Sequence, residues 1–497
     1  MSASEPGPVT YAFGTYSTPA ERKARGKAAR ETLPRTAMGD YSPSAHRPDP
    51  IAMLEDQEQT RVPNLLPLRH ERMGVSAFTF YRGTAIIMAN DLGAQTSSGL
   101  QVQLCGDAHL SNFGLFAAPD RVPVFDVNDF DETNPGPFEW DVKRLATSFV
   151  LAARDNGFPE DVIADAALAS ARQYRLSMAE YAAMKEIDIW YDRVDASVME
   201  SWAQRTSGKV GEKAVRRTVA KAQARTAWTA IRKLTTVVDG QRVFVDEPPL
   251  VVRVPEDTLA RTLILGALPG YLESLAPDRR ALLERYEVID LGHKVVGVGS
   301  VGLLAWVLLL QGRDSDDILT LQVKQAQHSV LEPYTAASAY PQMGERVVEG
   351  QRLMQAASDS FLGWVTGSLG REYYVRQLRD MKWSPDPSRF TPAGMATYAE
   401  LCGHVLARAH ARTGDAVAIS AYLGSSTTFD DAVRAYALSY ADQVSDDFAG
   451  FTAAVSSGRL SAEPVTTDSE QLKAIMRNPL LAHGNQDQGG QASPSNS

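Results

Sequence analysis

The sequence predicts an α+β fold in two lobes, a helix-rich large lobe and a small lobe built on an antiparallel sheet. Three observations carry that expectation. A strand, a loop and a second strand run from Val102 to Phe125 and end in a knot of acids. A second run, Glu287–Leu310, reads strand, glycine loop, strand, and a further strand, Ile318–Val323, follows a polar turn. Stretches with apolar residues at helical spacing fill much of the rest.

The first run organises the chain. A short strand, Val102–Leu104, leads through Cys105-Gly106 to Asp107, and Asn112 follows on the same loop. The next strand, Val122–Phe125, opens into Asp126, Asp129, Asp131 and Glu132. Carboxylates this dense repel one another, so a cation is needed to compensate them. Asp and Asn oxygens suit Mg²⁺, which takes its remaining ligands from water and phosphate. One acid to accept a hydroxyl proton, with an amide and a second acid to hold metal, is the set that phosphoryl transfer requires. Each Asp taken alone is equally compatible with a turn.

Composition sets the outer limits. The 497 residues allow two or three domains, and 44% hydrophobic with 22% charged residues supplies an ordinary globular core. A net charge of -10 argues against nucleic acid as a partner. The two cysteines, Cys105 and Cys402, are too few for a disulfide framework, and a reducing cytoplasm is the simplest expectation. The polar N-terminus carries no signal-peptide pattern, and the best apolar run, Val301–Leu310, is too short to span a bilayer.

In chain order, residues 1–64 read as a mobile leader, with basic residues at Arg22, Lys23, Arg25, Lys27 and Arg30. Residues 65–285 read as the large-lobe part that holds the acids. Within it, Ala77–Tyr81 is aromatic and strand-like, ending in Arg82-Gly83, and a helix begins in Thr84–Asn90. Arg82 has two readings, a phosphate ligand or a salt-bridge partner for one of the carboxylates. After Pro135-Gly136-Pro137, Asp141 stands where an N-cap would, ahead of a helix over Val142–Asn156. Helices follow over Glu160–Glu186 and Lys209–Lys233. The latter carries Lys209, Lys213, Arg216, Arg217, Lys221, Arg225, Arg232 and Lys233, as a solvated face or a surface for an acidic substrate. Asp239-Gly240 predicts a hairpin turn, and a helical stretch runs to about Arg285.

Residues 286–383 read as the small lobe. Gly297, Gly299, Ser300 and Gly302 form a loop through which backbone amides can approach phosphates. Gly312 closes the following apolar run early, which favours a strand over the helix that a dinucleotide-binding fold needs. Lys324 ends the third strand. Glu345 and Glu349 lie one turn apart on a helix over Gly344–Ser358, and Glu349 is the expected partner of Lys324. Two strands, Phe361–Val365 and Glu372–Leu378, precede a linker at Met381–Pro385. Residues 384–483 supply further large-lobe helices, Pro392–Thr413 and Phe429–Ala454, and 484–497 read as a disordered tail.

Strand, glycine loop, strand, turn and a strand bearing Lys resemble the nucleotide-covering lobe of a protein-kinase-like fold. GDAHLSN, at 106–112, resembles the catalytic loop of aminoglycoside phosphotransferases and related small-molecule kinases, with Cys105 in place of their His. LARAHA, in 406–411, resembles the helix that precedes that loop in those enzymes. The parts come in an unusual order, catalytic loop first and glycine loop later, so the resemblance implies a circularly permuted fold. FYRG, CGDAHLSNFG, NDFDE, GPFEWDVKRL, VGVGSVG, GQRLMQA and LARAHAR also resemble a bacterial family known as domain of unknown function 2252, over roughly Leu65–Ala454.

The kinase-like resemblance implies ATP and Mg²⁺ as cofactors, with a phosphoryl group passing to a hydroxyl acceptor, a small molecule rather than a protein. Asp107 is then the general base. Asn112 and Asp129 hold Mg²⁺, with Asp131 assisting and Asp126 as the competing ligand. Gly297, Gly299, Ser300 and Gly302 cover the phosphates, Lys324 contacts them, and Glu349 holds the Lys. The alternatives are AMP transfer, a non-catalytic nucleotide-binding protein and, last, a dinucleotide-binding dehydrogenase.

Overall fold

The computed structural model describes residues 17–224, 232, 234–248, 250–295, 297, 299–378, 383–462, 473, 476 and 477. The fold is a mixed α+β arrangement with small antiparallel sheets. The first part of the chain is helical: α1 (Pro19–Thr32), α2 (Pro50–Glu58), α3 (Leu66–Met73), α4 (Ala77–Gly83) and α5 (Ala85–Gly93). Then come β1 (Gln101–Leu104), β2 (Phe113–Ala117), β3 (Pro123–Val127) and β4 (Asn134–Pro137). Four helices and a short strand follow: α6 (Glu139–Asp155), α7 (Glu160–Tyr181), α8 (Glu186–Tyr191), β5 (Val194–Asp195) and α9 (Ala196–Ala224). The α9 run is broken at Gly208, where φ is +61°.

The middle of the chain holds β6 (Thr235–Val238), β7 (Gln241–Phe244), β8 (Val252–Arg253), α10 (Leu259–Glu273) and α11 (Pro277–Leu283). Next are β9 (Glu287–His293), β10 (Ala305–Gln311), β11 (Ile318–Gln325), α12 (Met343–Met354), β12 (Gly363–Thr366) and β13 (Glu372–Gln377). The chain closes with α13 (Pro392–Ala411), α14 (Ala416–Leu423) and α15 (Thr428–Ser456).

Two large apolar cores form among the described residues, beside two small clusters. The larger lies among α6, α7, α13 and α15, with Phe149, Tyr174, Val405 and Tyr436 buried in it. The second lies on one face of a six-stranded antiparallel sheet ordered β12-β13-β11-β10-β9-β8. There Trp306, Leu308, Leu321, Val323 and Val375 pack with Ile264 and Tyr271 of α10. The apolar run after Gly302 is the strand β10, paired with β9 and β11. No helix follows the glycines, which removes the dinucleotide-binding alternative. The Asp239-Gly240 turn is as expected, with φ of +50° and +82° joining β6 to β7.

Three local expectations are corrected. Ala77–Tyr81 is not a strand but the start of α4. Ser76 and Thr79 form a reciprocal capping box, Ser76 N–H donating to Thr79 Oγ1 at 2.8 Å and Thr79 N–H to Ser76 Oγ at 3.3 Å. Asp141 is not an N-cap, because α6 starts at Glu139 and encloses it. The helix expected over Glu160–Glu186 ends at Tyr181, and α8 is separate.

The segment read as a leader contains α1, which lies along α14. Arg30 Nε donates to the Tyr422 carbonyl at 2.9 Å, and Arg35 to that of Leu423 at 2.7 Å. Residues 1–16, Arg225, Lys233, Met381, Lys382 and 484–497 lie outside the described residues. Among the described residues, no helix is long and apolar enough to cross a membrane.

Two contacts between distant parts of the chain position the site. Trp383 bridges to Leu115 on β2, tying the segment after β13 to the first strands. Thr413 Oγ1, just past α13, accepts the Gln103 N–H of β1 at 3.1 Å.

Candidate functional site

The loop after β1 is held from below by buried groups. Gly106 has φ +82°, and the place of its missing Cβ is taken by the main chain of Glu132, so no other residue fits. The Asp141 carboxylate accepts the amides of Cys105 at 2.8 Å and Gly106 at 3.1 Å. His410 Nε2 lies 3.2 Å from the same carboxylate, and its Nδ1 lies 2.8 Å from the Tyr174 hydroxyl. The LARAHA helix thus anchors the loop through Asp141.

Asp107 projects from this platform. Arg144 Nε donates to it at 2.6 Å, and the Arg144 guanidinium stacks over the Tyr81 ring at 4.1 Å. Burial pushes the Asp107 carboxyl up, Arg144 pulls it down, and the charge of Asp129 adds to the push; the net shift is upward. Asn112 Nδ2 donates to the Asp107 carbonyl at 2.8 Å. That bond orients the amide and leaves its oxygen for another donor or a cation.

The acids after β3 separate into distinct roles. Asp126 is buried away from the cleft, where it accepts Arg408 at 2.6 Å and the amides of Val127 at 2.8 Å and Ala356 at 3.1 Å. Asp129 faces the cleft; its Oδ1 is 3.4 Å from the Asp131 amide. Asp131 pairs with Lys324 and accepts the Tyr374 hydroxyl at 2.8 Å and Ser300 Oγ at 3.4 Å. Burial pushes the Asp131 carboxyl up, but Lys324 outweighs it and the net shift is downward. Burial carries the Glu132 carboxyl up to about 7, although it accepts the Val330 amide at 2.8 Å.

The glycine loop between β9 and β10 is pinned by arginines from the opposite end of the chain. Gly297 and Gly302 have φ of +64° and +89°. Arg72 donates to the Gly297 carbonyl at 2.8 Å, and Arg61 donates to Gly299 at 2.8 Å and Val301 at 2.6 Å. Arg69 donates to Gly299 at 2.9 Å and is itself held by Glu58 at 3.0 Å. Sequence reasoning missed all three arginines; their approach to the loop depends on contacts some 230 residues apart.

Asp107, Asn112, Asp129, Asp131, Gly297, Gly299 and Ser300 line one cleft, together with Arg61, Arg82, His109 and Glu132. Lys324 joins it through its ion pair with Asp131. Gly302 sits behind the loop against the Arg61 side chain, and the Gly302 carbonyl accepts the Val62 amide at 2.8 Å. Glu349 is not the partner of Lys324: it pairs with Arg352 at 2.6 Å. The buried charged residue on that helix is Arg346, which donates to the carbonyls of Asp131 at 2.8 Å, Thr133 at 2.5 Å and Gln327 at 2.7 Å. A cation there fixes the acid loop and leaves Lys324 to Asp131.

The donor set fits a hard cation that keeps much of its water. Among the described residues, no three carboxylate, imidazole or thiol groups converge as a ready cage. Mg²⁺ needs only one or two protein oxygens when phosphate supplies others. Asp129 and the free amide oxygen of Asn112 meet that need, while Asp131 is engaged by Lys324.

Fold and site define a mixed α+β protein whose polar cleft joins an early acid-bearing loop to a late glycine loop. The chain belongs to the family described as "Uncharacterized protein conserved in bacteria (DUF2252)", whose model matches residues 61–454. No curated protein and no solved structure matches it.

Proposed function

We propose that this protein is a kinase-like phosphotransferase of circularly permuted fold, which uses ATP and Mg²⁺ to phosphorylate a hydroxyl group on a small molecule. The observation that carries the reading is the convergence of Asp107, Asn112 and Asp129 with Gly297, Gly299, Ser300 and Lys324 around one cleft. The surrounding architecture supports it. The glycine loop joins two antiparallel strands, the third strand bears Lys324, and a helix and two more strands of the same sheet follow. The contact of Thr413 with Gln103 supports the permuted order, since a kinase-like chain would run there from the LARAHA helix into the catalytic loop.

The chemistry follows from the positions. An acceptor hydroxyl oxygen bonds to the γ-phosphorus. The bond to the β,γ-bridging oxygen breaks, ADP leaves with that electron pair, and the hydroxyl proton passes to Asp107. Asn112 Oδ1 and Asp129 would hold Mg²⁺, which supplies charge neutralisation on the phosphates when bound. The phosphates would draw Lys324 from Asp131, freeing that carboxylate to assist. Gln57, Arg61, Arg82, Gly83 and Ala85 wall one side of the cleft, which suits a small acceptor better than a polypeptide.

Product analysis tests the reaction. ATP incubated with the protein and Mg²⁺ is expected to yield ADP, at a slow rate with water as acceptor. Pyrophosphate would instead indicate AMP transfer, and neither product would contradict phosphoryl transfer.

A further inference from the structure

Arg82, at the end of α4, stands out among the cations of the cleft. Arg144 is paired with Asp107 and Lys324 with Asp131, and Arg61 donates to the carbonyls of Gly299 and Val301 although its Nε is left without a partner. Among the described residues Arg82 makes no hydrogen bond or ion pair, and its Nε is closed off from solvent without a partner. Its guanidinium carbon lies 5.9 Å from the centre of the Phe78 ring. The carboxylates of Asp107 and Asp129 share the cleft and attract its charge, but neither bonds to it, so its donors are left for another anion. Its backbone is nevertheless fixed. Arg69 donates to the Gly83 carbonyl at 2.8 Å and to Gly299 at 2.9 Å, linking the end of α4 to the glycine loop.

We propose that Arg82 is the anion-binding residue of this cleft and contacts the phosphoryl group in transfer, an assignment that rests on the phosphotransferase reading. Its guanidinium shares the cleft with Asp107, the base of the proposed reaction, and Asp129, which would hold the metal. The group that moves from ATP to the acceptor lies between those two roles. A guanidinium donates to two phosphate oxygens at once, and a cation there neutralises charge on the equatorial oxygens as the P–O bonds exchange.

The test is calorimetric titration of the full chain, wild type, Arg82→Lys and Arg82→Met, with Mg·ATP, Mg·ADP and inorganic phosphate. Arg82→Met is expected to weaken Mg·ATP by about tenfold or more and Mg·ADP by less than about twofold, since ADP lacks the contacted group. Arg82→Lys should fall between, keeping the charge but losing the fork. The melting temperature of Arg82→Met is expected to stay near wild type, because the side chain gives up no hydrogen bond or ion pair. Equal losses for ATP and ADP, no loss for either, or a lower melting temperature with unchanged binding would overturn the assignment. If wild type binds neither nucleotide, the phosphotransferase reading fails, and phosphate decides on Arg82. Phosphate binding lost in Arg82→Met keeps it as an anion ligand, and no phosphate binding in wild type overturns both.

Discussion

Asp107→Asn is expected to slow phosphoryl transfer by about 10²- to 10⁴-fold while leaving Mg·ATP affinity unchanged. The amide keeps the size of the side chain and an oxygen for Arg144 Nε, so the loop should hold its shape. It cannot take a proton. The effect should therefore appear in kcat and spare nucleotide binding, which the proposed mechanism assigns to Asp129, Lys324 and the glycine loop. Wild-type pH dependence follows from the same residue. Burial, only partly offset by Arg144, raises the Asp107 carboxyl above the ordinary range. The active form is the carboxylate, so the rate should rise with pH through that raised value and then level off. Kinetics of both proteins across pH check this. Wild-type turnover in the variant, or a loss confined to nucleotide affinity, would contradict the role.

Asp126→Ala and Asp129→Ala should fail in opposite ways. Asp126 is the buried partner of Arg408, whose second terminal nitrogen has no hydrogen bond. Removing the carboxylate strands a buried cation, which costs about 3–5 kcal/mol of stability. Pairing it with Arg408→Met should recover most of that loss, because the stranded charge goes too. Asp129 faces the cleft, and its one protein contact within the loop is a 3.4 Å bond to the Asp131 amide. Asp129→Ala should leave the denaturation midpoint near wild type and remove Mg²⁺-dependent nucleotide binding. Denaturant unfolding of the four proteins separates the roles. A stable Asp126→Ala would show that Arg408 finds another counter-charge.

The sequence is legible where chemistry and local pattern coincide. Gly297, Gly299 and Gly302 between apolar runs predict the β9–loop–β10 unit, and Gly312 distinguishes strand from helix after it. The acids after β3 are visible as a cluster, but their division is not. Asp126 lies within β3 and turns inward to Arg408, whereas β3 ends at Val127 and Asp129 faces the cleft from the loop beyond it. Ala77–Tyr81 misleads because aromatic residues favour strands on propensity, while the Ser76–Thr79 capping box and packing make it helical. Glu349 misleads because one helix offers several acids to a distant Lys. The true partner, Asp131, lies 193 residues earlier. Arg61, Arg69 and Arg72 read as ordinary surface basics until folding brings them against the glycine loop.

The most direct test of the central claim is calorimetric titration of ATP, with and without Mg²⁺, into wild type, Lys324→Ala, Asp129→Ala and the double variant. One site built from both ends of the chain predicts Mg²⁺-dependent binding in wild type. It predicts loss in each single variant and little further loss in the double, because coupled residues are not additive. No ATP binding under any condition, or binding indifferent to both substitutions, would contradict it.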